Sequence, residues 1–133
     1  PAQVLVPHVS VHADAIDALK ADSIYADISN IISASAEFGA VDVYAGTITR
    51  ISVIPTAAIA TGNLTVTFYI NGVGITDGVV TVNNGAAAGT MHLTVPSGAN
   101  VTANHAVLAW EIGGGNTTAG RASIRITIDT TTP

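Results

Sequence analysis

The chain has 133 residues, no cysteine and a formal net charge of −5, with charged residues making up only 10%. That length suits one domain burying about two thirds of its unfolded surface without metal or disulfide staples, and the missing cysteines remove a thiol nucleophile and any Cys-ligated zinc. Lys20, Arg50, Arg121 and Arg125 are all the cations on an acidic chain, too few for a phosphate-tracking groove, so nucleic acid is not an expected partner; nor is a membrane, since no apolar run approaches roughly 18–20 residues.

The opening PAQVLVPHVSVH lacks a basic region followed by an apolar run, so no secretory signal is expected. Pro1 fits removal of an initiator Met. Residues 3–12 read as a strand or arm. Leu5, Val9 and Val11 share a face with Pro7, which cannot donate to a ladder and so favours an edge. His8, Ser10 and His12 share the other face. Residues 13–27 break the alternation. Asp14 is placed to cap a helix holding Ile16 and Leu19, but only about two turns are available. The segment reads as a short helix or an extended arm.

Ile28, Ile32, Ala34, Ala36 and Phe38 mark a second strand, ended by Gly39. Val41–Tyr44 is a brief extended piece, and Thr47–Ile54 is another strand before Pro55. Apolar residues occupy both of its faces, Ile48 and Ile54 against Ile51 and Val53, as in a strand that is either central in the sandwich or covered by a neighbour. Leu64, Val66, Phe68 and Ile70 then alternate with Thr65, Thr67, Tyr69 and Asn71, the pattern of a half-buried strand. Asn71-Gly72 and Asp77-Gly78 are turn dipeptides, and Val79–Val82 returns. Met91, Leu93 and Val95 alternate with Thr90, His92 and Thr94, closed by Pro96-Ser97-Gly98. Ala106, Leu108, Trp110 and Ile112 form the next apolar row, and Ile124, Ile126 and Ile128 the last. About eight strands separated by turn signals predict an all-β sandwich or barrel. The expected division is an N-terminal strand or arm over residues 1–30, its 13–27 segment either a short helix or extended, and a β-sandwich over 31–133.

Average domains carry about 25% charged residues. The deficit here leaves a surface of Thr, Ser, Asn and Gly. Such a surface is either a plain neutral β face or one covered by other subunits, because interface cores are poor in Lys, Glu and Asp. Arg50, Arg121 and Arg125 are correspondingly either ordinary surface arginines or inter-subunit clamps. With Pro7, His8 and His12 from the N-terminal stretch they form the candidate interface set. His8 and His12 stand roughly 13 Å apart on a straight strand, so one metal cannot take both. Asp14, Asp17, Asp22 and Asp27 lack the spacing of a calcium loop. No carboxylate pair converges for acid–base work, no Gly-x-Ser-x-Gly elbow is present, and the glycine runs lack the setting of a phosphate loop. No catalytic residue, metal site or cofactor is expected. Asn63-Leu64-Thr65, Asn100-Val101-Thr102 and Asn116-Thr117-Thr118 match the glycan-acceptor triplet, as a Thr-rich chain does by chance. Trp110 is expected in the core.

Four runs occur in a particular order: Tyr44-Ala45-Gly46-Thr47-Ile48-Thr49-Arg50-Ile51; Leu93-Thr94-Val95-Pro96-Ser97-Gly98-Ala99-Asn100-Val101; Ala106-Val107-Leu108-Ala109-Trp110-Glu111; and Gly120-Arg121-Ala122-Ser123-Ile124-Arg125-Ile126-Thr127-Ile128. This order resembles the capsid decoration (cement) and head-fibre proteins of tailed bacteriophages, over roughly residues 40–129. Residues 13–27 match nothing in that pattern. The resemblance implies a jelly-roll-like antiparallel β-sandwich with an N-terminal arm, commonly a homotrimer, on the outer capsid surface of a virion. It implies the major capsid protein as partner and a structural role. Such a protein bridges coat subunits, which stabilises the head by mass action and needs no active site. The alternative is a carbohydrate-binding or host-attachment head-fibre sandwich with surface glycans as ligands.

Overall fold

The computed structural model describes residues 21–35 and 38–130. They form nine strands: β1 (Ala21–Ile28), β2 (Phe38–Val43), β3 (Gly46–Pro55), β4 (Leu64–Ile70), β5 (Val73–Val82), β6 (His92–Thr94), β7 (Val101–Thr102), β8 (Ala106–Gly114) and β9 (Ala122–Asp129). A single 3₁₀ turn spans Ser33–Ser35, and no α-helix occurs among the described residues.

Two antiparallel sheets result, one ordered β1-β9-β3-β6 with β7 also against β3, the other β2-β8-β4-β5. The pairings nest in the sequence: β4 with β5, β3 with β6, β2 with β8, β1 with β9. A chain paired this way is one long hairpin whose tip is the β4–β5 turn. It is wrapped so that successive pairs fall in alternate sheets. Lateral pairing of β3 with β9 and of β4 with β8 then joins the pairs within each sheet. This is jelly-roll connectivity, the architecture expected.

Period-two alternation fills the space between the sheets. Leu64, Val66, Phe68 and Ile70 meet Leu108, Trp110 and Ile112 on one inner face. Ile48, Ile51, Val53, Ile124, Ile126 and Ile128 line the other, and none of these side chains is more than 8% exposed. Each contributes about 1.5–3 kcal/mol relative to exposure. Trp110 is core, its ring 6.3 Å from that of Phe68.

The structure departs from the expected elements in four places. Residues 21–30, grouped above with the arm, carry β1, which pairs along its length with β9; no helix forms over 21–27. Ile24 and Ala26 pack against the core beside buried Ile28, and this burial at period two outweighs the modest helix propensity of the segment. Residues 1–20, with the expected strand at 3–12 and the Asp14 cap, lie outside the described residues, as do Pro7, His8 and His12.

The strand expected from Ile28 to Phe38 does not form. Ile28 ends β1, a loop and the 3₁₀ turn follow, and Gly39 lies inside β2. Asn116, 1% exposed, draws the backbone out of strand geometry. Its Nδ2 donates to Ile31 O at 2.6 Å and its backbone carbonyl accepts from Ser33 N at 2.8 Å.

In β3 the register against β9 shifts between Ile48 and Arg50. The extra residue changes the parity, so Ile48, Ile51 and Val53 all point inward and Ile54 remains outside.

Asn71-Gly72 makes the expected two-residue turn, with φ of 50° and 82°. Asp77-Gly78 does not turn the chain. It is an irregularity inside β5, where Thr67 opposes Val79 but Tyr69 opposes Gly74. Asp77 takes φ 58°, its backbone carbonyl accepts from Thr94 Oγ1 at 2.7 Å, and its carboxylate accepts from Ser97 Oγ. The distortion ties β5 of one sheet to β6 of the other.

Candidate interaction faces

The β5–β6 tie decides which way β6 faces. His92 and Thr94 turn partly inward, so Met91, Leu93 and Val95 turn outward, 53%, 45% and 61% exposed. The alternation was legible in the sequence; its direction was not.

Leu93 lies opposite Ser52, Ser52 opposite Arg125, and Arg125 opposite Tyr25. One row therefore crosses the outer face of β1-β9-β3-β6 from edge to edge. Tyr25, at 71% exposure, is the most exposed of its large apolar side chains. The Arg125 guanidinium carbon sits 5.9 Å from the Tyr25 ring centroid, and its Nε donates to Ser23 Oγ at 3.1 Å. That pair presents a cation on an aromatic platform. Arg50 occupies an adjacent row with Thr127 and Ser23, and Ile54 another with Ser123 and Asp27. A groove of about 250 Å³ runs between Tyr25, Ser52, Ile54, Met91 and Arg125. Arg50 and Arg125 thus share a face. Arg121 does not: it lies in the loop before β9, its backbone amide bonded to Thr56 Oγ1 at 2.9 Å.

The outer face of β2-β8-β4-β5 has a different character. Phe38 opposes Glu111 and Glu111 opposes Thr67; Ala40, Ala109 and Tyr69 form the next row, Asp42 and Val107 the one after. Small residues floor it and aromatic ones rise beside them. The groove, about 620 Å³, is lined by Phe38, Tyr69, Asn71, Gly72, Val107, Ala109 and Glu111. Asn71 Oδ1 accepts from Val107 N at 2.8 Å and braces that end. No Lys or Arg lies on this face among the described residues. Asp42 approaches His105 Nδ1 at 3.2 Å, and the Glu111 carboxylate meets no cation among them.

Tyr44, at the β2–β3 turn, has its pKa raised, first by burial, then by its hydrogen bond to the Asp22 carboxylate and that group's negative charge. Among the described residues no cluster of three or more His, Asp or Glu side chains is placed to hold a metal ion. Asn116 lies outside any glycan-acceptor role, being buried with its amide engaged by Ile31, and Thr118 N donating to its Oδ1 at 2.9 Å. Sequence reasoning placed Arg50 and Arg125 as candidates. It missed Tyr25, Ile54, Met91, Leu93 and Phe38, which alternation alone assigns to neither side of a sheet.

No protein-family profile and no curated protein sequence matches the chain. Solved structures with a similar architecture include the CBM36-1 domain of a multidomain xylanase from the hindgut metagenome of Trinervitermes trinervoides. It shares 11% identity over 84% of this chain and 78% of that one, with TM-score 0.46. Dimeric latent PorU from Porphyromonas gingivalis shares 12% identity over 85% of this chain but 13% of that one, with TM-score 0.49. Desmodium yellow mottle tymovirus shares 11% identity over 86% and 84%, with TM-score 0.39. These likenesses carry no argument about function.

Proposed function

We propose that the chain is a non-enzymatic adhesion sandwich of a phage virion, oligomeric and expected to be trimeric, that binds the outer capsid surface and bridges coat subunits. The supporting observation is the row Leu93–Ser52–Arg125–Tyr25, flanked by Met91, Ile54 and Arg50. Tyr, Arg and Met are the residue types enriched at contact surfaces. A folded chain in water gains nothing from exposing them together, whereas a partner that covers them removes apolar area from water. Binding across a joint between coat subunits then raises the cost of separating them. The test is co-sedimentation with phage heads prepared without this protein. The expected result is saturable binding and a higher disassembly temperature, both weakened by Leu93→Asp. Heads that neither retain the chain nor gain stability from it would overturn the proposal.

A second reading, attachment to surface glycans, draws on Phe38, which is 63% exposed beside the groove that also holds Tyr69 and Glu111. Aromatic faces beside a carboxylate suit a sugar ring and its hydroxyls. A glycan array probed with the protein and with Phe38→Ala decides it: binding abolished by the substitution supports attachment, and an array without a binder removes it.

A further inference from the structure

We infer that the chain self-associates head to tail, the arginine-bearing face of one copy seating on the acidic face of the next, with Arg125 against Glu111. The inference rests on the adhesion reading only in its premise that these faces are covered: the copy at the end of a stack keeps its arginine-bearing face for the coat, and each further copy seats that face on its neighbour. Charge carries the argument. Arg50 and Arg125 stand on the inner strands β3 and β9 of one sheet, and neither meets a carboxylate among the described residues. The acids of that face, Asp27 and Asp129, lie on its edge strand and at the end of β9. The opposite face carries Glu111 and Asp42 and, among the described residues, no Lys or Arg.

Shape agrees with charge. Tyr25 and Leu93 stand proud on the first face. The second face is hollowed by a groove of about 620 Å³, with Ala109 in its floor and Glu111 in its lining. Four strands about 4.8 Å apart, averaging about seven to eight residues at about 3.3 Å each, present roughly 450–500 Å² per face if wholly covered. Two such faces together bury up to about 1,000 Å², the lower bound for a specific contact. Because the faces lie on opposite sides of one sandwich, the contact is heterologous. Each copy keeps one donor and one acceptor face, so repetition extends as an open stack and closes into a ring only where the rotation between copies returns on itself.

The test is sedimentation velocity of the full chain over a concentration series, at low and high salt. The variants are Arg125→Glu, Glu111→Arg and the double exchange. Both side chains are exposed, and circular dichroism of each variant verifies the fold. The wild type is expected to associate, less so at high salt. Each single reversal weakens association at least about tenfold. The double exchange restores it, and mixing the two single variants restores pairing at each joint between unlike copies. A monomeric wild type, single variants that associate as well as wild type, or an exchange that fails to restore association overturns the inference. A wild type that stays monomeric yet binds heads leaves the adhesion reading standing. One that associates through these faces yet ignores heads removes that reading and keeps this one.

Discussion

Gly39 faces the Trp110 indole across the β2–β8 ladder, and an added Cβ would collide with the ring. Gly39→Ala is expected to lower stability by about 1–3 kcal/mol, as overpacking does, measured by urea unfolding with Trp110 fluorescence as the signal. Gly72 is a glycine for a different reason. Its surroundings are open, but its φ is +82°, so Gly72→Ala is expected to cost about 1–2 kcal/mol of backbone strain without disturbing the core. Asn116→Ala strips the Ile31 carbonyl and the Thr118 amide of their partner and is expected to cost about 2 kcal/mol. Tyr44 makes a prediction in pH. Its folded pKa lies above the ordinary tyrosine value of 10.0, so the folded state holds this proton more tightly than the unfolded chain. The stability it contributes is complete below the ordinary value and is lost as pH rises through the raised one. Absorbance titration of Asp22→Asn is expected to move Tyr44 down, but not to the ordinary value, because burial, the larger cause, remains.

Among elements, β6 separates contact from folding. Leu93 lies on an edge strand with 45% of its surface in water, whereas Leu108 is fully buried. Leu93→Thr is expected to change stability by less than about 0.5 kcal/mol, and Leu108→Ala to cost about 2–5 kcal/mol, both from equilibrium denaturation. Such a pair of results would place Leu93 outside the folding energetics and leave it free to serve the proposed contact. The element scale also shows where sequence reading stopped. The rows in β4, β8 and β9 were legible, since strong alternation in a strand flanked on both sides has one solution. The β3 bulge at Thr49, the irregularity at Asp77 and the loop at Ile31–Ser35 were not. Each depends on a hydrogen-bond partner distant in sequence: Thr127 for Thr49, Thr94 for Asp77, Asn116 for Ile31.

For the whole molecule, segregation of charge matters more than its total. A net charge of −5 acts to keep copies apart through the long-range field, while the proposed Arg125–Glu111 contact draws them together at short range. Added salt therefore has opposing effects, screening the repulsion and weakening the pairing. With the pairing dominant, association is expected to fall monotonically as salt rises in the sedimentation series. A rise at moderate salt would place the balance with net charge. The two arginines were identifiable as candidates from the scarcity of charge, but nothing in their spacing, 75 residues apart, showed that they share a face.

The order of residues determined an all-β sandwich, a core built from Leu64–Ile70, Ala106–Ile112 and Ile124–Ile128, and a surface almost without charge, because burial at period two and the depletion of ionisable groups are both local properties. Only the tertiary structure decided which alternating row faces water. A strand pattern is unchanged when its two faces are exchanged. The tie from Asp77 to Thr94 and the register of β6 on β3 break that symmetry, turning Met91, Leu93 and Val95 outward.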